Sequence, residues 1–235
     1  MKNRYLFVGL LFTICHVFGQ DPNNAIQLSH NFEKSQGRLI FYSENKDFCD
    51  YYLYLSFVYS EGFEGMSSGR GIIVNPGRRQ ILTYKVREGA TRYSYNYKYA
   101  MYRGNSYEKP NVDFIYSLPV AAKKAVTARI IENMDGYQLS FDLSADTIYA
   151  CRGGIMCDDK LKDNTSKGYN HFNDSRSLSQ VTIYHVDASF GEYVFKGKSL
   201  IYPGQRVKMG TPIAVVEKNN KYQLRFSVYF LDRNK

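Results

Sequence analysis

Apolar and polar residues alternate with a period of two through much of this chain, the pattern of half-buried strands. Arg38-Leu-Ile-Phe-Tyr42, Tyr51-Tyr-Leu-Tyr-Leu-Ser-Phe-Val58, Gly71-Ile-Ile-Val-Asn75, Gln80-Ile-Leu-Thr-Tyr84 and Tyr93 to Tyr102 each read as a strand. Turn residues separate them, at Gly65, Ser67, Ser68 and Gly69 and again at Asn75-Pro76-Gly77. Several short strands so spaced predict a small antiparallel sandwich over residues 28–108. The stretch Arg103–Pro110, rich in Gly, Asn, Ser and Pro, is the candidate boundary to a second region at 113–232. There, Gly204 marks a turn, Val207 returns inward, Gly210 opens the next turn, and Ile213-Ala-Val-Val216 reads as a buried strand. The fold class expected from the pattern is all-β.

Composition agrees. Hydrophobic content of 44% and charged content of 23% are ordinary for a folded chain of 235 residues. Aromatic content of 16%, with 22 Tyr and no Trp, favours strands, where rings pack across neighbours. Residues 1–19 read as a signal peptide: Lys2 and Arg4 are followed by a mostly apolar run from Tyr5 to Phe18, with Val17-Phe18-Gly19 before Gln20. An exported chain, periplasmic or secreted, is the expectation, with no transmembrane segment after cleavage. Removing residues 1–19 lowers the formal charge from +9 to +7, because Lys2 and Arg4 are their only charged residues. Such a charge suits anionic cell-wall polymer or a membrane surface, and equally serves solubility alone. The basic residues form no dense run and match no nucleic-acid motif.

Tyr93, Tyr95, Tyr97 and Tyr99 fall on one face of one strand. They could form a stacking platform for sugar rings; a cross-strand aromatic stack in the core is the favoured reading. Beyond residue 19 the cysteines are Cys49, Cys151 and Cys157, an odd count that leaves one thiol over. If Gly153-Gly154 is a two-residue turn, Cys151 and Cys157 lie on opposite sheet faces; a wider turn would pair them. A buried structural role for each is the favoured reading.

Two stretches resemble the LytM/lysostaphin-type zinc peptidases, which cut peptidoglycan cross-links. The first runs from Gly136-Tyr-Gln-Leu-Ser-Phe-Asp-Leu-Ser-Ala-Asp-Thr-Ile-Tyr-Ala150 into Cys151-Arg-Gly-Gly-Ile-Met-Cys157. The second is Ile183–Asp232, with Tyr202-Pro-Gly-Gln-Arg-Val-Lys-Met-Gly-Thr-Pro-Ile-Ala-Val-Val216 and Gln223-Leu-Arg-Phe-Ser-Val-Tyr229. Upstream, Asn45-Lys-Asp-Phe-Cys49-Asp-Tyr-Tyr, Val74-Asn-Pro-Gly-Arg-Arg-Gln80 and Tyr116-Ser-Leu-Pro119 resemble the immunoglobulin-like module that precedes such domains in exported peptidases of Bacteroidetes-type bacteria. The resemblance implies an immunoglobulin-like sandwich followed by a LytM-like barrel-sandwich domain with a duplicated hybrid motif. Carrier domains share that hairpin, but Lys208-Met209 precedes Gly210 inside the motif and is not at an exposed tip.

The family's chemistry needs a zinc ion held by two His and one Asp, with further histidines to move protons. The positions the resemblance assigns to those groups carry Gly136, Ser140, Phe195, Gln223 and Arg225 here. The other histidines, His30, His171 and His185, match no ligand spacing, and Asp142 and Asp146 have no histidine at usable spacing. No catalytic residue, metal or cofactor is therefore expected, and a fixed cation at Arg225 opposes zinc by charge. Gln223, Arg225 and Ser140 are the candidate binding residues, suited to a carboxylate or a peptide group. The expected function is a non-catalytic module that binds peptidoglycan stem peptide or regulates an envelope hydrolase. A filled, purely structural groove stands beside it with equal weight. An active zinc endopeptidase with atypical ligands and a secreted structural or adhesion protein are the alternatives.

Overall fold

The computed structural model describes residues 24–66, 69–121, 126–133, 136–143, 146–160, 178–217 and 224–232. Residues 1–19, where a signal peptide is expected, and Ser67, Ser68, His171 and Gln223 lie outside the described residues. The protein is all-β, as the alternation predicts. The first strands are β1 (Ile26–Glu33), β2 (Arg38–Asn45), β3 (Tyr51–Glu61), β4 (Arg70–Val74), β5 (Gly77–Lys85) and β6 (Ser94–Arg103). They form two antiparallel sheets of order β1-β2-β5 and β4-β3-β6. Alternation decides what each strand buries. In β3, Tyr51, Leu53, Leu55 and Phe57 are buried, whereas Tyr54 between them is 41% exposed. Phe41 of β2 meets Phe57 of β3 and Tyr97 of β6 with ring centroids 5.7 and 5.4 Å apart, so the sheets close on one aromatic core.

That core takes most of the tyrosine ladder. Tyr95 and Tyr97 stack at 6.5 Å, and Tyr95, Tyr97 and Tyr99 pack on the core, while Tyr93 lies at its margin against Phe32. The favoured reading of the ladder as core packing holds for these three rings.

The second set comprises β7 (Ala128–Asn133), β8 (Gly136–Phe141), β9 (Thr147–Tyr149), β10 (Gly154–Met156), β11 (Ser179–Tyr184), β12 (Phe190–Phe195), β13 (Gly197–Ser199), β14 (Arg206–Val207), β15 (Pro212–Val216) and β16 (Leu224–Tyr229). A seven-stranded sheet of order β14-β10-β11-β12-β16-β8-β7 and a three-stranded sheet β13-β15-β9 enclose a second core. Phe141, Ile148, Ile183, Tyr193, Phe195, Ile213 and Leu224 are fully buried there. Val207 and Ile213 are buried on either side of Gly210, as the turn spacing predicts. Cys157 and Phe190 of the second half belong to the first core, so the two halves share a packed junction. Among the described residues, no helix is long and apolar enough to cross a membrane.

Candidate functional site

Three adjacent strands carry the residues singled out in the sequence. On β16, Arg225 stands opposite Ser140 of β8 and Val194 of β12. Directly paired antiparallel residues project to the same side, so these three form one row across the sheet. The next row includes Ser227 opposite Glu192, itself opposite Thr182 of β11. Residues one place along project the other way. Leu224, Phe226, Phe141, Tyr193, Phe195, Val181 and Ile183 accordingly all join the second core.

The structure therefore unites Ser140 and Arg225 and separates Phe195 from them. Expecting Phe195 in the same cleft is corrected: it is fully buried and belongs to the opposite face, because the row on β12 is held by Val194. Gly136 pairs with Asn133 at the far end of β8. Gln223 lies outside the described residues. Ser140 is only 1% exposed, and Thr182, Gln138 and Val194 are also buried, whereas Arg225, Glu192 and Ser227 on the same rows stay partly exposed.

Its polar groups are organised around Glu192. Gln180 Nε2 donates to Glu192 Oε1 at 2.9 Å and Ser227 Oγ to Oε2 at 3.4 Å. Burial pushes the Glu192 carboxyl up to about 7, reinforced by the charge of Asp159, while Ser227 and Arg103 pull it back. This carboxyl therefore titrates near neutrality.

The donor set of this row does not fit the zinc that the resemblance implies. A hydroxyl at Ser140, a guanidinium at Arg225 and a phenyl ring across the sheet at Phe195 supply no imidazole or carboxylate ligand. Asp142 is exposed and lies 3.6 Å from Arg129. His185 is buried; its Nδ1 lies 2.9 Å from the Gly153 carbonyl oxygen, and burial pushes its pKa down to about 4, so the ring stays neutral.

The other end of the same face rests on the first sandwich. Tyr184, Phe190 and Tyr229 stack there, and Phe190 lies within the first core. Tyr184 donates its hydroxyl to Asp50 Oδ2 at 3.1 Å. Gly204 holds a left-handed φ of 85°, and a Cβ on it would come within 2.6 Å of the Phe48 ring, so only glycine fits that approach. The centre of the junction is charged. Asp47, fully buried, accepts from Arg103 Nε at 3.0 Å and Nη2 at 2.7 Å, from Tyr51 at 3.1 Å and from the Cys49 thiol at 3.3 Å. Its second oxygen accepts the backbone N–H groups of Phe48 and Asp158, each at 2.7 Å. Arg103 Nη1 reaches Asp159 at 2.9 Å. Burial opposes the charge of this guanidinium, but the Asp47 and Asp159 carboxylates around it outweigh that, and it stays charged.

Sequence reasoning missed this cluster. Asp47, Cys49 and Cys157 bring a carboxylate oxygen and two sulfurs within 4.8 Å of one another, the three being the one such group among the described residues. The signal in the sequence is faint, because Cys49 and Cys157 are far apart along the chain and no local pattern links them. Cys151 belongs to the second core and Cys157 to the first, and no bond joins these two. Compared with known proteins, the chain matches no family model and no curated sequence.

Proposed function

We propose that this protein is an exported, non-catalytic member of the LytM/lysostaphin-type peptidase fold, whose former catalytic face binds peptidoglycan stem peptide. In the same role it would present wall peptide to, or restrain, an envelope hydrolase. The observation that carries the reading is Arg225 in register with Ser140 on the face turned away from the core. A guanidinium is a permanent cation with a planar fork of donors, suited to a peptide carboxylate and unsuited to a site that must hold a divalent metal. Ser140, directly across from it, is buried, so the partly exposed guanidinium of Arg225 carries the contact.

The strand pairing of the first half supports the immunoglobulin-like part of the reading. β2 pairs with β5 and β3 with β6, the second with the fifth strand and the third with the sixth. Immunoglobulin-type sandwiches join their B and E strands, and their C and F strands, in this way.

The test is binding of purified protein to soluble stem-peptide fragments, followed by calorimetry, with Arg225→Ala beside it. Saturable binding weakened at least tenfold by the substitution supports the proposal. Equal binding by both proteins sinks the assignment of Arg225. Stoichiometric zinc together with cleavage of the fragments would replace the non-catalytic reading with the peptidase alternative.

A further inference from the structure

We propose that Cys49 and Cys157 form a disulfide that locks the two halves of the protein together, leaving Cys151 as the free thiol. The inference is independent of the binding role proposed for Arg225.

Three observations carry it. The two sulfurs lie within 4.8 Å of each other, inside the junction. The chains bearing them are held side by side: Asp158, next to Cys157, donates its backbone N–H to Asp47, two residues before Cys49, at 2.7 Å. Each backbone is also anchored. Asn45 Nδ2 donates to the Cys49 carbonyl at 2.9 Å, and Cys157 N donates to Thr182 O at 2.9 Å. Cys151 packs in the other core, and its N–H donates to the Tyr193 hydroxyl at 2.7 Å. The odd cysteine count thus divides into a close pair and a remainder.

A metal ion is the competing occupant, and the surroundings oppose it. Asp47, its third ligand, is already engaged by Arg103, Tyr51 and two backbone N–H groups. A cation entering there would displace or repel a fixed guanidinium.

The bond forms by exchange with a disulfide acceptor, as small-molecule or protein disulfides supply in an oxidising compartment. One cysteine thiolate attacks the acceptor's S–S bond, giving a mixed disulfide and releasing one thiol. The second cysteine displaces the other thiol and closes the Cys49–Cys157 bond. The pair loses two electrons and two protons, and the acceptor becomes two thiols. Both cysteines are buried, at 1% and 0% exposure, and burial pushes the Cys49 thiol well above its ordinary range. Exchange is therefore slow in the folded protein, so the bond closes during folding and then resists reductants. Closure requires the sulfurs to approach from within 4.8 Å to about 2.05 Å.

The test refolds the full chain with oxidised glutathione, alkylates it in denaturant and maps its peptides by mass. A linked Cys49–Cys157 peptide pair, about 2 Da lighter than the two thiol peptides together, with Cys151 alkylated, is the expected result. Alkylation of both Cys49 and Cys157, or Cys151 in the bridge, overturns it. Oxidation should raise Tm by roughly 5–15 °C over the reduced protein. Cys151→Ser should keep both the bridge and that rise, and their loss in this variant counts against the proposal. Cys157→Ser should abolish the rise; if it fails to fold, the peptide map of the unaltered protein decides. Stoichiometric metal bound through Cys49 and Cys157 also overturns it.

Discussion

One face of the seven-stranded sheet has two ends that differ in chemistry although the same strands build both. At one end, Tyr184, Phe190 and Tyr229 meet the first sandwich, and the contact is completed by Asp47, Arg103 and Asp159. At the other, Ser140, Arg225, Ser227 and Glu192 form polar rows. A few residues along β12 and β16 thus separate an aromatic docking surface from a polar one. The lesson is that strand alternation fixes which residues share a face, whereas the element placed over each part of that face decides its role. At the junction, buried charges are justified by near-complete pairing. On the polar rows, a carboxyl with too little compensation has its pKa raised instead.

This contrast can be broken at several points, and the largest effect is expected at the junction. Arg103→Ala leaves Asp47 and Asp159 buried without their cation, and should cost about 3–5 kcal/mol in urea unfolding. A loss below about 1 kcal/mol would show that the junction does not depend on this charge. Phe195→His places an imidazole in the second core and not on the polar face. It should destabilise by ~2–4 kcal/mol and bring no zinc uptake, as checked by metal analysis. Zinc binding by that variant would mean that Phe195 and Arg225 share a face after all.

Glu192 gives a smaller effect with a defined pH dependence. Its carboxyl binds a proton more tightly in the folded protein, at about 7 against an ordinary 4.5, so raising the pH between those values favours unfolding. The folded state is least penalised below about 4.5 and loses stability as the pH rises through 7. Glu192→Gln should remove this slope and gain about 1–3 kcal/mol at pH 8 relative to the parent, with little difference at pH 4. Parallel stability curves for the two proteins would rule out Glu192 as the source. The smallest stability change is expected at Arg225, partly exposed on the polar row. Arg225→Ala should shift unfolding by no more than ~0.5–1 kcal/mol while removing stem-peptide binding. A large stability loss there would favour a filled structural groove over a binding site.

The all-β class was legible because burial follows alternation so closely in strands such as Tyr51–Glu61, and because glycines at Gly204 and Gly210 mark turns around Val207. Most of the tyrosine ladder was legible as core for the same reason. The candidate site was legible in part: Ser140 and Arg225 do meet, but Phe195 turns away, since spacing along one strand leaves open the register against its neighbour. One residue of slip moves a side chain through the sheet.

What the sequence by itself determined is local: strand periodicity, the positions of turns, and the chemical character of each side chain. Those follow from backbone geometry and from the chemistry of single side chains. Only the tertiary structure decided which residues share a row and which are enclosed together. Cys49 and Cys157 are distant in the chain, yet their sulfurs meet beside Asp47 and Arg103 because two sheets dock there. No local pattern encodes such a meeting; it arises from the burial of two aromatic surfaces that each half leaves incomplete.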